Sequence, residues 1–311
     1  MESFTMPIDS VPNEILLSIL SLLSTRALLP LVAVSHRFYS VTLRILQHRL
    51  TKAAALPDHR LILECYHPSA KISTPYLYGD YLYTDSAAET DAFGSGLPRP
   101  TLGELGQIYS HFRPVAQEEN WRPRSRYPMK QSQQNARASD HDVQDGGDDG
   151  GEQSQRQPDE TQQLPPSHDV YLDENELFTQ LCTVTNLVKV GPKPGLFLSH
   201  VNISDGLIRV FRPWLAAQAA AECVGQLDKP KPQVLWADSA HDVGIRFRVV
   251  EKATAGPYRP VLVKQDEDLP VAYRLELEEL LVRTNRLLLM VEKSEAQEVT
   301  TSGKAIVIAS I

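Results

Sequence analysis

Trp236-Ala237-Asp238-Ser239-Ala240-His241-Asp242 gathers an aromatic ring, two carboxylates, a hydroxyl and an imidazole in seven residues. Such groups can serve as nucleophile, general base and orienting acid. That chemistry requires the three to meet in one geometry, which residues crowded into a single loop rarely achieve. The segment reads as a connection between strands, with Trp236, Asp238 and His241 as ligand-contact candidates. Arg246 and Arg248 stand two apart, so on a strand they share a face. With Arg209 and Arg212 they could receive phosphate or an acidic segment of a protein. The plainer reading is a solvated face paired with Glu276 and Glu278 on another strand. Cys65 and His67 also stand two apart, but no second ligand pair lies near, so no metal site is expected. Gly94-Ser95-Gly96 lacks the Lys-Ser/Thr helix start of a phosphate loop. No catalytic residue and no cofactor are expected.

Composition narrows the class. The 311 residues are 42% hydrophobic and 23% charged, the balance of a soluble globular protein large enough for two domains. A net charge of -8 makes nucleic acid an unexpected partner. The three cysteines, Cys65, Cys182 and Cys223, are odd in number and widely spaced, so no disulfide framework follows. A reducing compartment, cytosol or nucleus, is expected.

Residues 169–311 are expected to form a β-rich domain, a sandwich or a partly open barrel. Val243, Ile245, Phe247 and Val249 alternate with Gly244, Arg246, Arg248 and Val250. Val271, Tyr273, Leu275 and Leu277 alternate in the same way. Leu287, Leu289 and Val291 read as a further strand after a hairpin turn at Thr284-Asn285, although 279–286 suits a helix equally well. Gly195–Ile203, Gly206–Phe211, Gln233–Trp236 and Ala305–Ile308 add strands, and Trp214–Val224 is the expected helix. Residues 56–112 carry Leu61–Tyr66 and aromatic runs on either side of a turn at Gly79-Asp80, a β-rich segment expected to join the same domain. Leu102–Phe112 suits a short helix or a strand. Residues 113–168 are rich in Gln, Ser, Asp, Gly and Pro, with the basic cluster Arg122-Pro123-Arg124-Ser125-Arg126. They are expected to be a long disordered insertion, or else a linker.

Residues 8–55 form a separate helical unit. Pro12 suits a first helical position, and Glu14 follows in the first turn. Ile15, Leu16, Leu17, Ile19, Leu20, Leu22 and Leu23 leave only Ser18 and Ser21 polar, so the helix is apolar nearly all round. Ser24 and Ser35 are expected to cap two further helices. Three short helices cannot bury so many side chains, and each one left exposed forgoes roughly 1.5–3 kcal/mol. The excess is covered by the rest of this chain or by a partner. A membrane span over 15–34 is not expected, because Pro30 and Ser24-Thr25-Arg26 interrupt it and acidic residues precede it.

The order Val11-Pro12-x-Glu14-Ile15-Leu16, Ile19-Leu20, Leu23, Leu28 and Val34-Ser35-x-Arg37-Phe38 resembles the F-box motif over residues 8–46. Val11 replaces the usual Leu, Pro30 falls within a family helix, and Ile45 and Leu46 stand where the usual Trp is missing. The resemblance implies an α+β chain: a three-helix F-box followed by the β-rich domain and its insertion. It implies docking on the Skp adaptor, and through it on a cullin–RING ubiquitin ligase, with Val11, Pro12, Ile15, Leu16, Leu20, Leu28 and Val34 in or under that interface. The β-rich domain would hold an unknown protein substrate, as F-box-associated β-sandwiches do in kind, through Arg246, Arg248, Trp236, Asp238 or His241. An F-box scaffold acting with the adaptor outside a ligase is the alternative. Neither reading calls for nucleic acid or a membrane.

Overall fold

The computed structural model describes residues 8–71, 74–85, 100–116, 165–192, 196–223, 233–252 and 270–300. After a 3-10 turn at Ile8–Ser10 come helices α1 (Asn13–Leu20), α2 (Thr25–Leu28) and α3 (His36–Ala54). Pro12 is the residue before α1, in extended backbone at φ -54° and ψ 150°, so the helix begins one residue later than its type suggested. Ser24 accepts from the Ala27 N–H and Ser35 from the Phe38 N–H, as capping side chains do. Pro30 lies in a 3-10 turn, Leu29–Ala33, because it cannot donate to an α-helical ladder.

The remaining elements are β1 (His59–Tyr66), β2 (Leu77–Thr84), α4 (Leu102–Leu105), β3 (Tyr109–Ala116), β4 (Ser167–Leu172) and β5 (Phe178–Val190), followed by β6 (Phe197–Phe211), α5 (Arg212–Cys223), β7 (Val234–Trp236), β8 (Val243–Glu251), β9 (Val271–Arg283) and α6 (Thr284–Thr300). Nine strands form one antiparallel sheet in the order β6-β5-β1-β2-β3-β9-β8-β7. β4 lies beside β9 next to β3. The sheet curls into a nearly closed barrel. Its closing seam lies where Gly206 of β6 meets the Ala237 carbonyl after β7. Because β3 ends at Ala116 and β4 starts at Ser167, both against β9, the chain between them leaves and re-enters the same sheet.

Inward side chains Leu61, Leu63, Leu187, Val201, Ile245, Phe247, Leu275 and Leu277 fill the barrel, together with Leu215 of α5 and Leu287 and Val291 of α6. A second core holds Leu16, Leu20, Leu28, Phe38, Val41, Ile45, Leu46 and Leu50 of the N-terminal helices. It is completed by Leu105, Ile108 and Leu288 from the rest of the chain. Part of the apolar excess is therefore covered internally.

Several expectations are corrected. Leu287, Leu289 and Val291 belong to α6 and not to a strand. Every position from 287 to 291 is apolar, so an alternating subset exists in a run whose buried members, Leu287, Leu288, Met290, Val291 and Ser294, keep helical spacing. Phe197–Phe211 is one long strand, with Ile203 as the extra residue of a bulge opposite Thr185 and Asn186, where two strands were expected. β2 runs straight through Gly79-Asp80 with no turn, because Gly79 packs flat between Leu61 and Phe112. Arg113–Ala116 and Ser167-His168 are strand residues, so the expected disordered segment was drawn too wide. Residues 117–164, with the basic cluster at 122–126, the glycines at 94–96 and the strand at 305–308 lie outside the described residues. No helix among the described residues is long and apolar enough to cross a membrane.

Candidate functional site

α1 sorts its apolar residues by face. Leu16 and Leu20, four apart, are buried at 0% and 4% exposure, and Leu28 joins them at 0%. Ile15, Ile19 and Leu22, spaced by four and three, form a solvent stripe at 52%, 51% and 86%. The residues expected at the adaptor interface therefore divide. Pro12, Ile15 and Val34 are exposed, Val11 is half-buried, and Leu16, Leu20 and Leu28 are internal core beneath that surface. Ile8, Ile19, Leu22 and Leu29 are also exposed and were not among the residues expected at that interface. For Ile19 the spacing signal was present, since 15-19 and 16-20 are two stripes of one helix.

The entry to α1 is held by Arg37, which donates through Nε to Asn13 Oδ1 at 2.8 Å and through Nη2 to the Val11 carbonyl. The turn from α1 to α2 is held by Arg49, whose Nη2 donates to the carbonyls of Ser21 at 2.8 Å and Leu23 at 2.5 Å. These bonds fix how the exposed leucines leave the turn.

The second candidate region lies on the barrel. Asp238 is consumed by its own loop. Its carboxylate accepts from Ser204 Oγ at 2.9 Å and from the backbone N–H groups of Asp242 and Val243 at 2.9 and 3.2 Å. Asp242 lies 3.6 Å from Arg283 and 3.7 Å from Arg286. His241 has a left-handed backbone, φ 57°, and stacks on Trp236 with centroids 4.8 Å apart. Trp236 leans on Tyr109 at 5.3 Å, and Tyr109 Oη donates to the His241 carbonyl at 2.9 Å. The loop brings Trp236 and His241 together at the surface and directs Asp238 to a structural role. No hydroxyl, imidazole and carboxylate of this loop form a relay.

Arg246 and Arg248 do face outward together, but each meets carboxylates. Arg246 pairs with Glu279. Arg248 donates to Glu222 at 2.7 Å and lies 3.6 Å from Glu276. These are the paired outer arginines of the plainer sequence reading, with the Arg248 side chain still 46% exposed. Cys65 is buried in the barrel, and burial, helped by Cys182, pushes its thiol up to about 12. It stays protonated at neutral pH and is a poor nucleophile or ligand. His67 has left the strand to cap the turn at Pro68–Ala70. Among the described residues no group of three His, Cys, Asp or Glu could hold a metal.

Among the described residues the N-terminal helices thus leave an apolar stripe exposed. The F-box-like family model matches residues 8–52, the stretch that builds it. Comparison with curated proteins and with solved structures found no match. Residues 8–52 are therefore an F-box-like domain, continued by a β-rich unit of no recognised family.

Proposed function

We propose that this chain is the substrate-recognition subunit of an SCF-type cullin–RING ubiquitin ligase. Its N-terminal helices bind the Skp adaptor and its barrel holds a protein substrate. F-box-like domains are in general adaptor-binding modules, and none of the chemistry surveyed on the barrel supplies a catalytic relay. The observation that carries the reading is the Ile15-Ile19-Leu22 stripe, apolar and exposed in a segment that matches the F-box-like family. The mechanism is proximity. Substrate and ubiquitin-loaded enzyme are held on one assembly, which raises the effective concentration of the acceptor lysine. The work would be done in the cytosol or nucleus, with no cofactor.

The clean variant is Ile15→Asp with Ile19→Asp, because both side chains are exposed and a charge there leaves the core intact. Leu16→Ala would open a fully buried position and confuse binding with folding. Purified Skp adaptor should bind the wild-type chain and lose at least a hundredfold in affinity for the double variant, as measured by calorimetry. Equal binding by the two chains rules out this face as the interface. Adding cullin and RING subunits to the wild-type complex separates the two roles. A stable assembly supports the ligase reading, and exclusion of cullin supports a scaffold acting with the adaptor alone.

A further inference from the structure

The turn between α1 and α2 is held from outside the F-box-like match. Glu292, on α6 near the other end of the chain, reaches the first residue of α2. Its Oε1 and Oε2 each accept from the Thr25 N–H at 3.2 Å, and Oε1 accepts from Thr25 Oγ1 at 2.6 Å. A first-turn N–H has no partner within its own helix, and Glu292 supplies one. Arg49 of α3 completes the clamp. Its Nη1 lies 3.2 Å from both Glu292 Oε1 and Thr25 Oγ1, while its Nη2 takes the Ser21 and Leu23 carbonyls. The ion pair is partly shielded, with side-chain exposures of 18% for Arg49 and 26% for Glu292. One turn of α6 earlier, Leu288 is buried in the F-box core.

Between the clamped Ser21 carbonyl and the clamped Thr25 N–H lie Leu22, Leu23 and Ser24, and the two leucines are exposed apolar residues. Resting on the adaptor-binding reading above, we infer that Glu292 is a positioning residue for adaptor docking. It does not belong to the docking face. It fixes the turn that presents Leu22 and Leu23 there, and so makes adaptor affinity depend on the C-terminal helix. The coupling is reciprocal: an adaptor that binds the ordered turn must also stabilise the α6 contact. Since α6 also packs into the barrel through Leu287 and Val291, the adaptor site and the barrel share one helix.

The test uses the full chain and the purified Skp adaptor. Glu292→Gln keeps the shape of the side chain and removes its charge. It should weaken the adaptor complex about tenfold, the scale of losing charge-assisted bonds at a partly exposed site. Glu292→Asp, which keeps the carboxylate, should recover most of that loss. Tryptophan fluorescence should show the barrel intact in both. Independently of any variant, adaptor binding to the wild-type chain should slow amide hydrogen exchange in residues 286–296 of α6. If Glu292→Gln binds within twofold of wild type, or α6 exchange is unchanged by the adaptor, the inference is overturned while the receptor reading stands. A wild-type chain that does not bind the adaptor overturns both.

Discussion

Glu279 shows how a single side chain can organise a barrel face. It lies on β9 with 13% of its side chain exposed, pairs with Arg246 of β8, and sits 2.9 Å from His111 Nδ1 of β3. The other ring nitrogen of His111 meets Asp85 at 3.0 Å, and Tyr83 stacks on the imidazole at 4.2 Å. Burial acts first on Glu279 and raises its pKa, but Arg246, His111 and Tyr83 together overcome it and hold the carboxyl below its ordinary 4.5. A depressed carboxylate contributes stability that is fully present above the unfolded value and is lost as pH falls through the lower folded one. Glu279→Gln should therefore cost about 2 kcal/mol at neutral pH, since it leaves Arg246 and His111 facing a neutral amide. The gap between variant and wild type should close in acid, below pH 4.5, as the native carboxyl itself becomes neutral. Urea midpoints measured at neutral and acid pH check this, and a gap equal at both would exclude ionisation as its source. The sequence pointed to Glu276 and Glu278 as partners for the two arginines. Glu276 does lie beside Arg248, which also meets Glu222, but Arg246 pairs with Glu279 and not with Glu278. The reason is a bulge: the register jumps from Arg246↔Glu279 to Phe247↔Leu277, so Glu278 is the extra residue and alternation breaks there.

At the scale of elements, what could be read from sequence was what local rules decide. The alternation from Val243 to Val249 gave β8, the capping serines gave α2 and α3, and the alanine-rich run gave α5. What could not be read depended on neighbours distant in sequence. Gly79 looked like a turn residue because its packing between Leu61 and Phe112 exists only in the folded sheet. Gly206 looked like a strand boundary for the same reason. A Cβ there would lie 2.1 Å from the Ala237 carbonyl oxygen, so the glycine is what lets β6 reach the β7–β8 loop and narrow the seam. Gly206→Ala should cost roughly 3 kcal/mol, because a backbone atom on the far side of the seam has to move. Gly103→Ala is the matched control. Its nearest neighbour would be 3.8 Å away, in the first turn of α4, so it should be neutral or stabilise by up to about 1 kcal/mol. Thermal melts of the two variants check the contrast, and a Gly206→Ala protein as stable as wild type would mean that the seam is not tight.

At the scale of the whole molecule, the F-box-like segment is legible as a motif but not as a body, because its core borrows from outside the motif. Leu105 and Ile108 come from the stretch leading into β3, and Leu288 comes from α6. No reading of residues 8–52 alone could supply those partners. Helices that share a core with the barrel should unfold with it. Leu288 is only 5% exposed, and truncating such a leucine costs about 2–5 kcal/mol through lost burial and the cavity left behind. Two probes can follow the outcome. Trp214 and Trp236 lie on the barrel side, the N-terminal helices contain no tryptophan and the third, Trp121, lies outside the described residues, so in a Trp121→Phe background fluorescence follows the barrel while far-ultraviolet dichroism weights the helices. Leu288→Ala should lower the midpoint of both probes together, with a single transition preserved in each. Adaptor added at a hundredfold excess over its Kd should raise the fluorescence midpoint as well, by a free energy of about 2.7 kcal/mol, because a ligand of the native state stabilises everything that unfolds with its site. A helical transition that comes earlier than the barrel's, or an adaptor that shifts dichroism alone, would show two independent bodies and place the barrel beyond the energetic reach of the F-box-like domain.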